Sequence, residues 1–316
     1  MLHDGSSIET APTLAARAPF NDTTADVRWG PLVPTGTGPV PNVPLTRRRE
    51  RLLRRISTRR GREAEGVVLL EGPRVVSAAV ASGADVHFAV VEAGAGSPDF
   101  PGAMRALQEA GVEVVEVPVG VLAEFSETRT PQGLLCVASE PDAPLPEPRD
   151  AVDTHCLVLD RVGDPGNVGT LARTAAALGV DRLVALDGTA DPWGAKAVRA
   201  SAGFVFALPV HRVSWEMFHP WLELVGLPLF VADAAGRDVR EVVEGSGHTG
   251  RGDPEKGWAL LLGSEAEGPR AAALDAARAL LRVPISPRVE SLNVAIAGSL
   301  LLWELGPGRE PSEAPS

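Results

Sequence analysis

The chain contains no tyrosine, and its only lysines are Lys196 and Lys256. Arginine therefore carries almost all of the positive charge, a bias that a GC-rich coding sequence explains without appeal to function. Cysteine is nearly missing too: only Cys136 and Cys156 occur. Two thiols fit a reducing cytosol better than a disulfide framework. Both fall in predicted strands, where cysteine acts as a small buried hydrophobe. The six histidines are scattered and form no ligand spacing with either cysteine, so no metal is expected. The chain does not open with the basic-then-apolar pattern of a secretory signal. Its longest apolar run, 292–302, is interrupted by Asn293, Gly298 and Ser299. A bilayer needs about 20 apolar residues, so a soluble, cytoplasmic protein is expected.

A chain of 316 residues suits two domains of ordinary size. The formal charge of −11 argues against a surface that is basic everywhere. Charge is unevenly spread, however. Thr46 to Arg62 holds nine arginines against one glutamate. A basic segment on an acidic body suggests a polyanion contact, with Arg47, Arg48, Arg54, Arg55, Arg59 and Arg60 as the candidate phosphate ligands. A solvated basic helix is the plainer alternative.

Residues 1–44 are rich in Pro, Gly, Thr and Ala without a sustained period, and read as a disordered arm. A helix follows from Leu45, with Leu45, Leu52, Leu53 and Ile56 on one face. Strands are predicted at 66–70, 86–91, 112–117 and 133–138, with helices at 73–81, 101–110 and near 119–125. Four prolines between Pro141 and Pro148 then permit neither helix nor central strand. A second series has strands at 155–160, 182–187, 204–209, 227–232, 258–263 and 281–285, and a last helix over 291–305. Apolar strands between helices point to a parallel sheet covered on both faces. The stretch 244–256 reads as a surface loop, and 307–316 as a disordered tail. The expected organisation is arm 1–44, α/β domain 45–141, linker 142–152, a second α/β domain 153–306 and tail 307–316.

Three stretches stand where predicted strands stop. The first runs from Asp160 to Arg173 and has glycines at 163, 166 and 169 before a helix. That is G-x-x-G-x-x-G, a poor match to the dinucleotide spacing, although Asp187 lies at the next strand's end. Asn167 is placed to cap the helix, which is also an anion site. Arg173 lies inside the helix, where a lone arginine is usually solvated. The second stretch, Leu262 to Gly268, has Gly263 for close backbone approach, and Glu265 and Glu267 near a helix start, where negative charge is favourable. In the third, Val283 to Val294, Ser291 reads as an N-cap, and Asn293 is a poor helix former in the first turn. In an open α/β sheet, ligands bind at the carboxyl ends of strands, so the three edges could share one site.

Together and in this order, these motifs resemble the SpoU family of RNA ribose 2′-O-methyltransferases, in the trefoil-knotted SPOUT class. Asn167-x-Gly169 with Arg173-Thr-Ala carries the resemblance, with Leu262-Gly-Ser-Glu265-x-x-Gly268 and with Pro284 and Ser291-Leu-Asn-Val294. It covers about 155 to 305, and 196–203 looks like the family as well. Arg62-Glu-Ala-Glu-Gly-x-x-Leu-Leu-Glu-Gly-Pro-Arg74 is similar to the start of the ribosomal-protein-like substrate-binding domain that precedes many SpoU domains, which favours ribosomal over transfer RNA.

The resemblance implies a fold: a knotted parallel-sheet α/β domain behind a small α/β domain. It implies S-adenosylmethionine as donor, bound at Gly263, Val283 and Leu292. It places the catalytic arginine at Arg173 and its polar partners at Asn167, Glu265, Ser291 and Asn293. It further implies a homodimer. In this picture Glu265 orients Arg173 or the knot loop, and Asn167 faces the RNA. Two departures stand out: Pro284-Ile-Ser-Pro-Arg288 replaces a usual Met and glycine, and Ala266 stands where glycine is frequent. The competing readings are a transfer RNA methyltransferase, a non-catalytic RNA-binding assembly factor on the same fold, and a nicotinamide enzyme, which the glycine spacing disfavours.

Overall fold

The computed structural model describes residues 45–128, 130–141, 143–245 and 257–306. The expected arm, the expected tail and the loop from 246 to 256 lie outside the described residues. The basic segment makes two helices where one was expected: α1 (Arg47–Ile56) and α2 (Arg59–Glu65). Thr46 Oγ1 accepts the Arg49 N–H and Thr58 Oγ1 accepts the Gly61 N–H, at 3.3 and 3.1 Å. Each hydroxyl caps one helix, and the second cap breaks the run after Ile56. Leu53 and Ile56 are buried while the arginines between them face outward.

The rest of this half is β1 (Val67–Glu71), α3 (Pro73–Ala81), β2 (Val86–Glu92), α4 (Phe100–Glu109), β3 (Val114–Val117) and β4 (Leu134–Ser139). The sheet order is β1-β4-β2-β3. Strand β4 runs antiparallel to both neighbours, and β2 pairs parallel with β3. The short helix expected near 119–125 is a single 3-10 turn, Leu122–Glu124.

Residues 143–147 have no helix or strand, yet they are pinned to the second half. Trp221 Nε1 donates to Pro146 O at 2.8 Å, and His211 Nδ1 donates to Ala143 O at 2.8 Å. Burial lowers the affinity of the His211 ring for a second proton.

The second half is β5 (His155–Leu159), α5 (Pro165–Ala177), β6 (Arg182–Leu186), α6 (Ala195–Ala200), β7 (Val210–Val213), α7 (Trp215–Val225), β8 (Leu229–Asp238), α8 (Val239–Gly245), β9 (Trp258–Leu262), α9 (Ala271–Ala276), β10 (Ala279–Arg282) and α10 (Val294–Leu305). Its sheet has the order β10-β8-β9-β5-β6-β7, and every pairing is parallel. Every residue of β5 and β9 is buried, as the unbroken apolar runs required. The strand expected at 204–209 is instead a 3-10 turn, Phe204–Ala207. Ser201 Oγ accepts the Val205 N–H there, and pairing with β6 starts only after Pro209, with Val210 opposite Leu183. Strand β8 runs on to Asp238, past its expected end at 232, with a register shift against β10 between Leu280 and Leu281.

Alternation along β5 feeds two cores. Cys156 and Val158 face Phe218, Trp221 and Leu222 of α7. Leu157 and Leu159 join Leu171, Leu301 and Leu302, and that core continues into Val75, Val76 and Ala79 of α3. The two halves therefore share apolar packing. Gly203 (φ 87°) lies so close to α3 that a Cβ would collide with Val75 O. Ion pairs cross the same junction, among them Arg62 Nη2 to Asp191 Oδ2 at 2.7 Å, Arg199 Nη1 to Glu71 Oε2 at 2.9 Å, and Arg212 to Glu140.

Candidate functional site

Strands β5, β9 and β10 deliver the three motifs to one edge of the parallel sheet. After β5 the first helix turn is capped by Asp164, not by Asn167. Asp164 Oδ1 accepts the Gly166 N–H at 2.9 Å, and Pro165 occupies the first helical position, where its missing N–H costs nothing. The Asp164 carboxyl is held below its ordinary range, first by Lys196 Nζ at 2.6 Å and then by that N–H. Asn167, freed from capping, projects its amide from the first turn. Gly169 serves packing: a Cβ there would collide with Ala197 O of α6.

After β9 the chain makes a tight turn in place of the helix start expected for Glu265 and Glu267. The Gly268 N–H returns to Ser264 O at 2.9 Å, and the next helix begins only at Ala271. Dipole complementarity therefore does not account for these glutamates. A Cβ on Gly263 would collide with Pro269 N, so only glycine lets the turn close. After β10, residues 284–292 form neither helix nor strand. Asn293, not Ser291, caps α10: its Oδ1 accepts the N–H groups of Ala295 and Ile296 at 2.9 and 3.3 Å.

Three of the expected residues meet in one relay. Asn167 Nδ2 donates to Glu265 Oε1 at 2.8 Å, and Asn293 Nδ2 donates to Asn167 Oδ1 at 3.1 Å. Glu265 Oε2 accepts the Gly163 N–H at 3.3 Å. The relay has one polarity. An ionised Glu265 only accepts, so Asn167 must turn its NH2 toward it and its oxygen toward Asn293. Asn293 must then donate, which leaves its own oxygen for the helix cap.

Arg173 does not join the relay. It is exposed on α5 and has no hydrogen-bond or ion-pair partner among the described residues. Glu265, expected to orient it, is engaged by Asn167 and Gly163 instead. The next residue, Thr174, places its hydroxyl 3.1 Å from Ser299 Oγ of α10, which anchors the turn that presents Arg173. Ser291 is exposed and has no hydrogen-bond partner among the described residues.

Gly263, Val283 and Leu292 are each half-buried around this edge. Between residues 284 and 292 the one backbone–backbone hydrogen bond among the described residues joins Val289 N–H to Ser286 O. The remaining peptide groups of this segment have the capacity to bind a ligand through the main chain. Those residue positions fit a small polar cofactor held by backbone. Among the described residues no cluster of His, Cys, Asp and Glu could hold a metal ion. Both cysteines are buried, and burial pushes the Cys156 thiol up to about 12.

The sequence reading passed over Asp160 and Arg270, which form an ion pair beside the relay. A lone carboxylate ending an apolar strand was the available signal. The basic helices are also less free than their composition implies. Arg54 pairs with Glu50 and Glu124, Arg55 with Glu65, and Arg59 with Glu63. Arg47 and Arg60 are exposed and without such a partner among the described residues, and Arg48 is exposed beside them.

A family model described as the SpoU rRNA Methylase family matches residues 154–303, and one described as an MRM3-like substrate binding domain matches 49–136. The chain is 30% identical over 253 residues to the 23S rRNA (guanosine(2553)-2′-O)-methyltransferase RlmP of Bacillus subtilis, covering 80% of this chain and 93% of that protein. It is 31% identical over 287 residues to the mitochondrial rRNA methyltransferase 3A of Danio rerio, covering 77% and 64%. Among solved structures it is similar to an AdoMet-bound rRNA methyltransferase from Sinorhizobium meliloti, with a TM-score of 0.66, 29% identity and coverage of 80% and 92%. It is also similar to the SpoU methyltransferase AviRb from Streptomyces viridochromogenes in complex with AdoMet, with a TM-score of 0.67, 26% identity and coverage of 82% and 96%.

Proposed function

Because the chain belongs to the SpoU rRNA methylase family, we propose that it is an S-adenosylmethionine-dependent methyltransferase acting on a ribose 2′-hydroxyl of ribosomal RNA, 23S RNA foremost. The observation that carries this reading is the Glu265–Asn167–Asn293 relay, which ties all three motifs together, with Arg173 exposed on the same helix as Asn167.

S-adenosylmethionine, when bound, supplies a methyl group already activated by the sulfonium charge. The chain's share is then positioning, worth up to about 7–11 kcal/mol for well-aligned reactants. Gly263, Val283 and Leu292 hold the donor through backbone groups. The relay fixes the three loops relative to one another, so Asn167 serves as their bridge. A guanidinium offers N–H donors and a fixed positive charge and has no acceptor; Arg173 is the exposed one on α5. Its role is to grip a phosphate of the target nucleotide and stabilise negative charge growing on the 2′-oxygen, not to act as base. Ser291, exposed in the segment before α10, positions the ribose. Arg47 and Arg60 contact RNA phosphates directly, with Arg48 beside them, and Arg54, Arg55 and Arg59 do so by exchanging their carboxylate partners, ion pairs in which the arginine is exposed and which are weakly held.

The same reading includes a trefoil-knotted chain path, a homodimer and a cytoplasmic location beside the ribosome. It also keeps the expected domain boundaries. No helix among the described residues is long and apolar enough to cross a membrane.

Transfer of labelled methyl to purified ribosomal and transfer RNA, followed by mapping of the modified ribose, tests the substrate. Arg173→Ala is expected to lower kcat by about 100-fold or more while donor affinity holds. Methyl transfer at the wild-type rate by that variant would sink the assignment. Changing both Arg47 and Arg60 to Gln should flatten the salt dependence of RNA binding, by a slope of about one per lost phosphate contact. An unchanged slope removes both from the RNA surface.

A further inference from the structure

The turn that carries Gly263 and Glu265 is gripped by charged groups that the relay does not use. Asp160, the first residue past β5, has no exposed surface. Its Oδ2 accepts the backbone N–H of Arg270 at 2.9 Å, and its Oδ1 accepts Arg270 Nε at 3.0 Å and Nη2 at 2.7 Å. A buried carboxylate is tolerated only when its charge and lone pairs are met; here Arg270 makes all three hydrogen bonds, and Arg161 Nε adds a second positive charge 3.5 Å from Oδ1.

Arg161 holds the same turn from the outer side. Its Nη1 donates to Glu267 Oε2 at 2.8 Å and its Nη2 to Gly268 O at 3.3 Å. To aim there, Arg161 adopts a left-handed φ of 59°, which is costly for a residue with a Cβ. Its stem lies over Gly188, where a Cβ would stand 2.8 Å from Arg161 Cγ. Its own N–H donates to Thr189 Oγ1 at 3.0 Å, and that hydroxyl donates to Leu159 O at 2.8 Å. Two consecutive residues past β5 thus clamp the turn over 264–270 from both sides.

We propose that Asp160 and Arg270, with Arg161 over them, are positioning residues for the methyl donor. They hold the turn so that the Gly263 backbone and the Glu265 carboxylate stand in place before the donor arrives. This rests on the donor-binding reading above, and no group of the clamp touches the reacting atoms. The charge at position 160 decides the outcome. Asparagine there keeps one acceptor oxygen, so it can meet the Arg270 N–H or the guanidinium but turns an NH2 donor toward the other; the guanidinium's other neighbours are Asp187 Oδ2 at 3.4 Å and the Trp215 ring, 5.6 Å from its central carbon. Neither partner bonds the turn's backbone.

The test uses calorimetric titration with S-adenosylhomocysteine, which cannot react, and amide exchange of the unliganded full chain. Asp160→Asn should weaken binding by about tenfold and speed exchange across 264–268. Exchange across β1–β4 should hold, and KM for the donor should rise while KM for RNA does not. Arg161→Ala leaves the three Arg270–Asp160 bonds in place and should give about a threefold loss, so it carries the test if Asp160→Asn does not fold. Binding within about twofold of wild type, with the turn equally protected, overturns the clamp for whichever variant folds. A wild-type protein that does not bind S-adenosylhomocysteine overturns the donor reading instead, and exchange of the unliganded turn still decides the clamp.

Discussion

Asn293 uses the two ends of one amide for two tasks. Its oxygen caps α10 and its nitrogen donates into the relay, so a suitable pair of variants separates stability from chemistry. Asn293→Ala loses both functions and should cost about 1 kcal/mol of stability for the cap. Asn293→Asp keeps the cap, with added help from the helix dipole, but presents an acceptor to the Asn167 oxygen. Asn167 cannot turn around without facing Glu265 with its own oxygen. The Asp variant should therefore keep its urea midpoint close to wild type and lose most methyl transfer. Full activity in Asn293→Asp would show that the relay's polarity is irrelevant. At this scale the sequence marked Asn293 as odd, because asparagine is a weak helix former. It misassigned the caps at Asn167 and Ser291, because a competent capping residue stands near each and only backbone geometry chooses between them.

Helix α10 buries one side and leaves another bare. Gly298 lies so close to α5 and β9 that a Cβ would collide with Leu262 Cδ1, and Leu301, Leu302 and Leu305 join the core. Ile296, Leu300 and Trp303 are exposed, at the i, i+4 and i+7 spacing of a single stripe. A stripe of this kind suits a second copy of the chain, in line with the homodimer proposed. Trp303→Glu should then shift the protein from dimer to monomer in sedimentation at micromolar concentration. A wild-type monomer under the same conditions removes this role. Most elements were legible from period and composition, the central strands above all, because burial on both faces demands unbroken apolar runs. The misread strand at 204–209 has the residues of a strand. Its backbone is turned aside by the Ser201 hydroxyl and by Gly203 against α3, two contacts that no local pattern encodes.

Across the whole molecule, the proline-rich segment suggested two independent domains, yet the apolar core passes from α3 into the second sheet's helices. Ion pairs reinforce that junction. Arg62 and Asp191 are only 6% and 10% exposed, so removing one partner strands a buried charge. Losses of that kind run to about 3–5 kcal/mol. Asp191 retains Arg212 Nη1 at 3.7 Å, so Arg62→Met should fall near the lower end, about 3 kcal/mol. Calorimetry of the wild-type chain should show one transition, and Arg62→Met should lower its midpoint or split it. Two resolved wild-type transitions would mean that the halves fold separately.

By itself the sequence determined the residue types, their order and the period of each element. That was enough for the parallel sheet, the three strand-end motifs and the family. Only the tertiary structure decided which groups meet. Asn167 finds partners 98 and 126 positions away, and Asp160 finds Arg270 at a separation of 110. Such bonds form only when sheet pairing brings distant strand ends together. Their geometry is therefore set by packing and by the demand that every buried charge be met, and neither is written in any local stretch of the chain.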